Sequence, residues 1–368
     1  MNPYNIALSM IPGLGAKSIR QLIGLCPDTE QLFSMSHNQL REIFGSHENI
    51  IGAFLSKAVL AQAENEVSMM EKYHIEPLFF TDPQYPQRLN NPGCEDSPTL
   101  LYRLGHCDLN AAHTLAFVGS RKCTDYGRTT AARLVQETKG SDSVIVSGLA
   151  YGIDTAAHTS AVDNGIPTIA VLGHGLDQIY PSQNITLSKR ILNQGGALIT
   201  EYPLHTEINP AYFPARNRII AALSDATVVV ESAEKGGALI TANIANGYHR
   251  EVFAVPGRLD DPLSQGCNNL ITSNKAILIR NAGDIYYQMG WKNTFDRQRQ
   301  REQQQSLFAS LSPDEQTIVD LLTQNREMTL DEICEKNNLS LPKIASLMMN
   351  LELKRVVRCL PGRLYKLC

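Results

Sequence analysis

Between residues 114 and 285, short apolar runs rich in Val and Ile alternate with longer amphipathic stretches. The apolar runs read LAFVGS, VIVSGLA, PTIAVLG, ALITEYP, ATVVVES and EVFAVPG, with a closing ILIRNAGD. Helical patterns over Asp125–Lys139, Asp154–Asn164, Asn184–Asn193, Arg216–Leu223 and Ala238–Tyr248 lie between them. The runs show no polar alternation, so each such strand must be covered on both faces, as in a parallel sheet joined by crossover helices. Right-handed crossovers then predict an α/β fold, a Rossmann-like, doubly wound and mostly parallel sheet. The stretch 75–113, with LYRLG, is expected to add a strand and loops at a sheet edge.

The flanks carry other patterns. Residues 1–65 read as a small helical domain, and a helical pattern over Ala53–Tyr73 links it to a Rossmann-like domain spanning 66–290. Ile11-Pro12-Gly13-Leu14-Gly15 precedes an amphipathic stretch with Ile19, Leu22 and Ile23. That is the shape of a helix-hairpin-helix turn, in which glycines bring backbone N–H groups toward a phosphate. It is equally the shape of a tight turn between packed helices. Residues 291–306, WKNTFDRQRQREQQQS, are polar and read as a linker. Over 307–368, helices at Pro313–Leu322, Thr329–Asn337 and Leu341–Leu353 precede RVVRCL and RLYKL, joined by Pro361-Gly362. Three helices and a hairpin predict a winged helix-turn-helix.

Composition narrows the class. A chain of 368 residues exceeds what one core supports, and 43% hydrophobic with 19% charged residues argues for folded domains. The formal net charge of −4 excludes a uniformly cationic surface but not a local basic groove. The eight cysteines form no C-x-x-C pair, so neither a zinc ribbon nor a disulfide framework is indicated, and no metal is expected. The N-terminus lacks a basic segment followed by a long apolar run, and no stretch reaches membrane-spanning length. A cytoplasmic protein with no membrane association is the expectation.

In an open parallel sheet, ligands bind beyond the carboxyl ends of the strands. Four loops there are rich in glycine and small polar residues. After LAFV, Gly119 admits a close ligand, Ser120 can donate to a phosphate oxygen and Arg121 can grip one bidentately. The second loop runs from Ser147 and Gly148 to Asp154, with His158 one helical turn later. The pair is read as a helix cap and a packed histidine rather than acid–base machinery. In the third, Lys235 precedes the glycine pair Gly236-Gly237, a ready anion nest at a helix start. The fourth reads Phe213-Pro214-Ala215-Arg216-Asn217-Arg218, two cations and an aromatic ring within six residues. Single-stranded nucleic acid is held by cations on its backbone and by aromatic faces under its bases.

No G-x-x-x-x-G-K-[ST] is present, because Gly13–Ser18 reads GLGAKS; G-x-S-x-G and H-E-x-x-H are also missing. The first strand-to-helix turn is not G-x-G-x-x-G, so no dinucleotide cofactor is expected. The pattern suggests a holder rather than an enzyme, with no catalytic residues assigned. The alternative is a nucleotide-processing enzyme of phosphoribohydrolase type, with Glu201, Asp154 or Glu231 as acid–base candidates. A transcription regulator whose winged helix reads duplex DNA is a third option.

VGSR at 118–121, YG at 126–127, SGLAYGID at 147–154, AVLGHGLDQIYP at 170–181, TEYP at 200–203, FPARNRII at 213–220, EKGGALITA at 234–242 and VFAVPG at 252–257 form one long ordered set. In it the chain resembles the DprA/Smf family of DNA-processing proteins, densely over residues 98–285. The resemblance implies a single-stranded DNA-binding mediator of natural transformation that dimerises through its Rossmann-like domain and helps load the RecA recombinase. Single-strand-binding protein is a further candidate partner. Carried over by position, Arg121, Phe213, Arg216, Asn217, Arg218 and Lys235 would line the DNA pocket. Gly119, Ser120, Ser147, Gly148, Gly236 and Gly237 would offer backbone or hydroxyl contacts. Two positions depart from the family pattern: Gly236 stands where Ser is commoner, and His249 stands where Gly is commoner.

The recognition-helix candidate, LPKIASLMMNLEL, holds one Lys and one Glu, poor equipment for reading a major groove. Positive charge gathers in the wing instead, at Lys354, Arg355, Arg358, Arg363 and Lys366. That leaves DNA-backbone contact and protein docking equally open for this domain.

Overall fold

The computed structural model describes residues 2–291 and 311–367, apart from 326, 327, 338, 355 and 361–363. Met1–Trp291 and Lys292–Cys368 form two compact units. Past Trp291 the expected linker lies outside the described residues, as do Arg355, Arg363 and the Pro361-Gly362 turn.

The first unit opens with α1 (Pro3–Met10), α2 (Ala16–Leu25), α3 (Thr29–Phe33), α4 (His37–Phe44), α5 (Glu48–Leu55) and α6 (Lys57–Tyr73). Gly13 takes φ 84° in the turn before α2, a left-handed backbone that glycine adopts at no steric cost. Helix α6 continues across residue 65, where the sequence pattern puts a domain boundary. The N-terminal helices share a core with the sheet, in which Ile6, Leu8, Ile51 and Met70 pack in one cluster with Phe79, Leu100 and Leu198.

The strands are β1 (Glu76–Phe79), β2 (Leu100–Gly105), β3 (His113–Gly119), β4 (Ser143–Ser147), β5 (Thr168–Val171), β6 (Ala197–Thr200), β7 (Ala226–Glu231), β8 (Glu251–Ala254) and β9 (Ile277–Leu278). They form one sheet in the order β1-β2-β6-β5-β4-β3-β7-β8-β9. From β6 to β9 every pairing is parallel, and β2 and β1 add antiparallel pairings at the edge. The edge stretch thus supplies two strands where one was expected. The helices between strands are α7 (Asp125–Gln136), α8 (Ile153–Asp163), α9 (Ile185–Asn193), α10 (Tyr212–Leu223), α11 (Gly237–Gly247) and α12 (Gln265–Thr272), and α13 (Ala282–Gln288) follows β9.

Alternate residues along each strand serve opposite layers, as a period of two requires. Leu115, Phe117, Ile145, Val228 and Phe253 bury against α7 and α8, whereas Ala116, Val118, Val146 and Val229 bury against α10 and α11. Helix α10 begins at Tyr212, earlier than the expected Arg216. Pro214 falls in its first turn, where a missing N–H costs nothing.

His249 closes α11 with φ 56°, while the N–H of Arg250 returns to the carbonyl of Ala245 at 2.9 Å. This is the left-handed residue of a helix C-cap. A β-carbon there costs roughly 1–2 kcal/mol. His249→Gly is therefore expected to raise stability by about 1 kcal/mol in urea denaturation.

The second unit holds α14 (Pro313–Asn325), α15 (Leu330–Asn337), α16 (Leu341–Leu353) and a sheet of β10 (Met328–Thr329), β12 (Leu364–Leu367) and β11 (Val357–Leu360) in that order. These are the elements of a winged helix. Lys354, expected in the cationic wing, is tied to buried Glu315 at 2.8 Å instead. Arg358 remains exposed on β11.

Candidate nucleic-acid interface

The chain leaves β3 toward β4, β5 and β6, then crosses back to build β7, β8 and β9 on its other side. The connections after β3 and β7 diverge, and that switch point leaves a crevice at the carboxyl ends of the two strands. A cavity of about 500 Å³ occupies it. Val118 to Lys122 wall it from β3, Ser232, Ala233, Gly236 and Gly237 from β7, and Arg216 and Asn217 from α10. The two parallel edges are clamped by the Ser120 N–H donating to the Glu231 carbonyl at 2.8 Å.

Several sequence-selected residues meet here. A β-carbon at Gly119 would collide with Ile153, so only glycine allows this wall to close. The Ser120 hydroxyl oxygen accepts the Lys122 N–H at 3.2 Å and keeps its own proton to donate. Arg121 is exposed, forms no ion pair among the described residues, and stands over the Phe213 ring at 5.5 Å. Phe213 in turn lies 5.5 Å from the ring of Tyr180. Asn217 faces the cavity, its side chain without a hydrogen-bond partner among the described residues. Gly236 caps α11, but its N–H donates to the Ala233 carbonyl at 3.0 Å, which corrects the backbone contact expected of it; the amides of Gly237 and Ala238, in the helix's first turn, are the ones left at the crevice. Lys235 sits exposed on the same turn but outside the cavity wall. Lys122 and Tyr180 were not anticipated. The Arg-Lys dipeptide and the tyrosine of the IYP run were the available signals.

Four other expected contacts are corrected. Arg216 is only 3% exposed, and its Nη1 donates to the carbonyls of Gly148, at 2.7 Å, and Val171. It fastens the ends of β4 and β5 from below and is not a free phosphate ligand. Burial pulls its guanidinium down to about 10, against the nearby Asp154 charge that favours it. Arg218 pairs bidentately with Glu201 at 2.6 Å and faces a separate cavity of about 620 Å³. The Ser147 hydroxyl is buried and donates to the Phe117 carbonyl at 2.6 Å. The Gly148 N–H donates to Asp154, its carbonyl accepts from Arg216, and a β-carbon there would strike the guanidinium.

The acid–base candidates are likewise engaged. Glu201 holds Arg218. Glu231 is buried and accepts from the backbone and hydroxyl of Thr124, capping the approach to α7. Asp154 accepts from the N–H groups of Gly148 and Ala150, and burial raises its carboxyl above the ordinary value. His158 is fully buried, bonds Thr168 at 2.7 Å, and is pushed by burial and by Arg216 down to about 3. Among the described residues no group of three His, Cys, Asp or Glu side chains could hold a metal ion.

His158 makes stability pH-dependent. The unfolded imidazole takes a proton near 6.5 and the folded one only near 3, so acid favours the unfolded chain between those values. Stability should fall as pH drops from about 6.5 toward 3. The raised Asp154 works in the opposite sense, because its burial penalty is relieved by protonation. Urea midpoints measured across this window should slope less for His158→Asn than for the parent. Parallel slopes would remove His158 as the cause.

A doubly wound sheet with anion-ready turns at its switch point, joined to a winged helix, defines a Rossmann-like class of nucleic-acid-handling protein. The family model described as DNA recombination-mediator protein A matches residues 76–290, and that of the DprA winged helix domain matches 302–363. The chain belongs to the DprA/Smf family. It is 36% identical over 266 residues to the DNA processing protein DprA of Streptococcus pneumoniae, covering 68% of this chain and 93% of that one. It is 37% identical over 286 residues to the Smf protein of Escherichia coli, covering 74% of each. The solved S. pneumoniae DprA superposes with a TM-score of 0.64 at 32% identity, over 78% of this chain and 98% of that one. DNA processing protein A of Helicobacter pylori, whose structure concerns its single-stranded DNA binding mode, gives a TM-score of 0.53 at 29% identity, over 59% and 96%. No described helix is long and apolar enough to cross a membrane.

Proposed function

We propose that this chain holds single-stranded DNA at the switch-point cavity, performs no catalysis on it, and passes it to a recombinase. One observation carries the reading: Arg121, without an ion pair among the described residues, the Ser120 hydroxyl and the amides of Gly237 and Ala238 at the start of α11 converge beside the Phe213–Tyr180 rings. Cations and amides bind phosphate oxygens whatever the base, and aromatic faces stack bases only where these are unpaired. The H. pylori relative's single-stranded DNA binding supports the same assignment. The family's role as a recombination mediator supports delivery of the strand to RecA, and a cytoplasmic setting belongs to the same proposal. A homodimer through the Rossmann-like unit and a contact with single-strand-binding protein complete the proposal. Faster RecA assembly on coated oligonucleotides would test the delivery step.

Fluorescence anisotropy with matched single- and double-stranded oligonucleotides over a salt series tests the central claim. Single strands are expected to bind more tightly, with affinity falling as salt rises. Equal or tighter duplex binding would overturn it.

A further inference from the structure

A groove of about 1000 Å³ runs along the seam between α7 and α8, and Arg121 and Lys122 belong to its wall as well as to that of the switch-point cavity. The two spaces thus share this Arg-Lys pair as a common wall. A strand gripped at Arg121 has one way out past Phe213 and Tyr180 and another over Lys122 into the groove.

The chemistry of the groove suits a strand. Arg121, Lys122 and Arg128 line it from the loop after β3 and from α7. Among the described residues Arg128 pairs only with Asp125, at 3.3 Å, with the two side chains 61% and 93% exposed. A pair so open to water contributes little and yields readily to a phosphate. Asp163, the one carboxylate in the wall, sits at the end of α8 and is neutralised by Arg190 at 2.5 Å. Tyr151 is 41% exposed at the start of the groove, its hydroxyl anchored on Gln183. A cationic track interleaved with an exposed, anchored ring is what a single strand needs to be held without base preference.

We propose that the single strand continues from the switch-point cavity along the α7–α8 groove, with phosphates on Lys122 and Arg128 and a base against Tyr151. The inference rests on the single-strand reading of the cavity and lengthens its footprint. The binding site then has a compact part at the switch point and a second part engaged only by longer strands.

Anisotropy with oligo-dT of about 4 and about 16 nucleotides, which brackets ordinary single-strand site sizes, reads this directly on the full chain. The affinity ratio between long and short oligonucleotides is expected to fall about tenfold in the Arg128→Ala/Tyr151→Ala double variant, the cost of one stacked base. A ratio equal to the parent's overturns the groove. Both side chains are exposed, and an unchanged urea midpoint confirms that folding is intact. Cys123 lines the groove and gives a second readout. The long oligonucleotide should slow its alkylation and the short one should not, whereas equal alkylation with both would also overturn the path. Arg121→Ala separates the two levels: it should weaken both lengths, and if it weakens neither, the cavity assignment itself fails.

Discussion

Replacing Arg216 with methionine is expected to destabilise the protein by about 3–5 kcal/mol, read as a lower midpoint in urea denaturation. The side chain is fully enclosed, and its Nη1 holds the carbonyls at the ends of β4 and β5. Methionine fills a similar volume but leaves those carbonyls short of a donor and Asp154 without its balancing charge. An uncompensated buried charge is the costly part, more so than the lost hydrogen bonds. The double variant Arg216→Met/Asp154→Asn should therefore recover a substantial share of the loss. If the single variant unfolds where the parent does, or the second change recovers nothing, the buried pair is not what holds this rim. Gly148→Ala should act through the same contact, because its methyl group would occupy the guanidinium's place.

That expectation depends on the feature the sequence concealed. The run Phe213 to Arg218 reads as a loop offering two cations, yet it lies wholly within α10. Successive helical residues point about 100° apart, so neighbours in the chain cannot share a surface. Arg216 looks inward, Asn217 into the cavity and Arg218 toward Glu201. The clue was present: Arg216 shares the i, i+3, i+4, i+7 phase of Ile219, Ile220 and Leu223, all of them buried. A charged residue on that phase must find partners inside, and the partners, carbonyls at strand ends 45 and 68 residues away, leave no trace in a linear pattern.

The sheet was legible because burial on both faces forces continuous Val and Ile runs. The Gly119-Ser120-Arg121 and Gly236-Gly237 turns were legible because strand ends in such a sheet converge at its switch point. Ser147 and Gly148 lie at an equally suitable strand end, but their polar groups are spent on Phe117, Asp154 and Arg216. Position on the rim therefore nominates a residue, while internal hydrogen bonding decides whether it is free for a ligand.

Arg121 is a free cation of that rim, and Arg121→Ala is expected to weaken oligo-dT binding by about tenfold to a hundredfold. A hydrogen bond to a charged group contributes roughly 1.5–3 kcal/mol, and a tenfold change corresponds to about 1.4 kcal/mol. Loss of one phosphate contact should also flatten the slope of log affinity against log salt by about 0.7. Phe213→Ala separates charge from stacking. It should cost a similar 1–3 kcal/mol per base while leaving the salt slope unchanged, since no counterion is released by a stacked ring. The two losses should add to less than their sum in the double variant, because Arg121 stands over the Phe213 ring and each side chain positions the other. A salt slope that shifts for Phe213→Ala but not for Arg121→Ala would reverse the assignment of cation and platform. Affinity unchanged in both would mean that the strand is held elsewhere, however well this crevice is built for a phosphate.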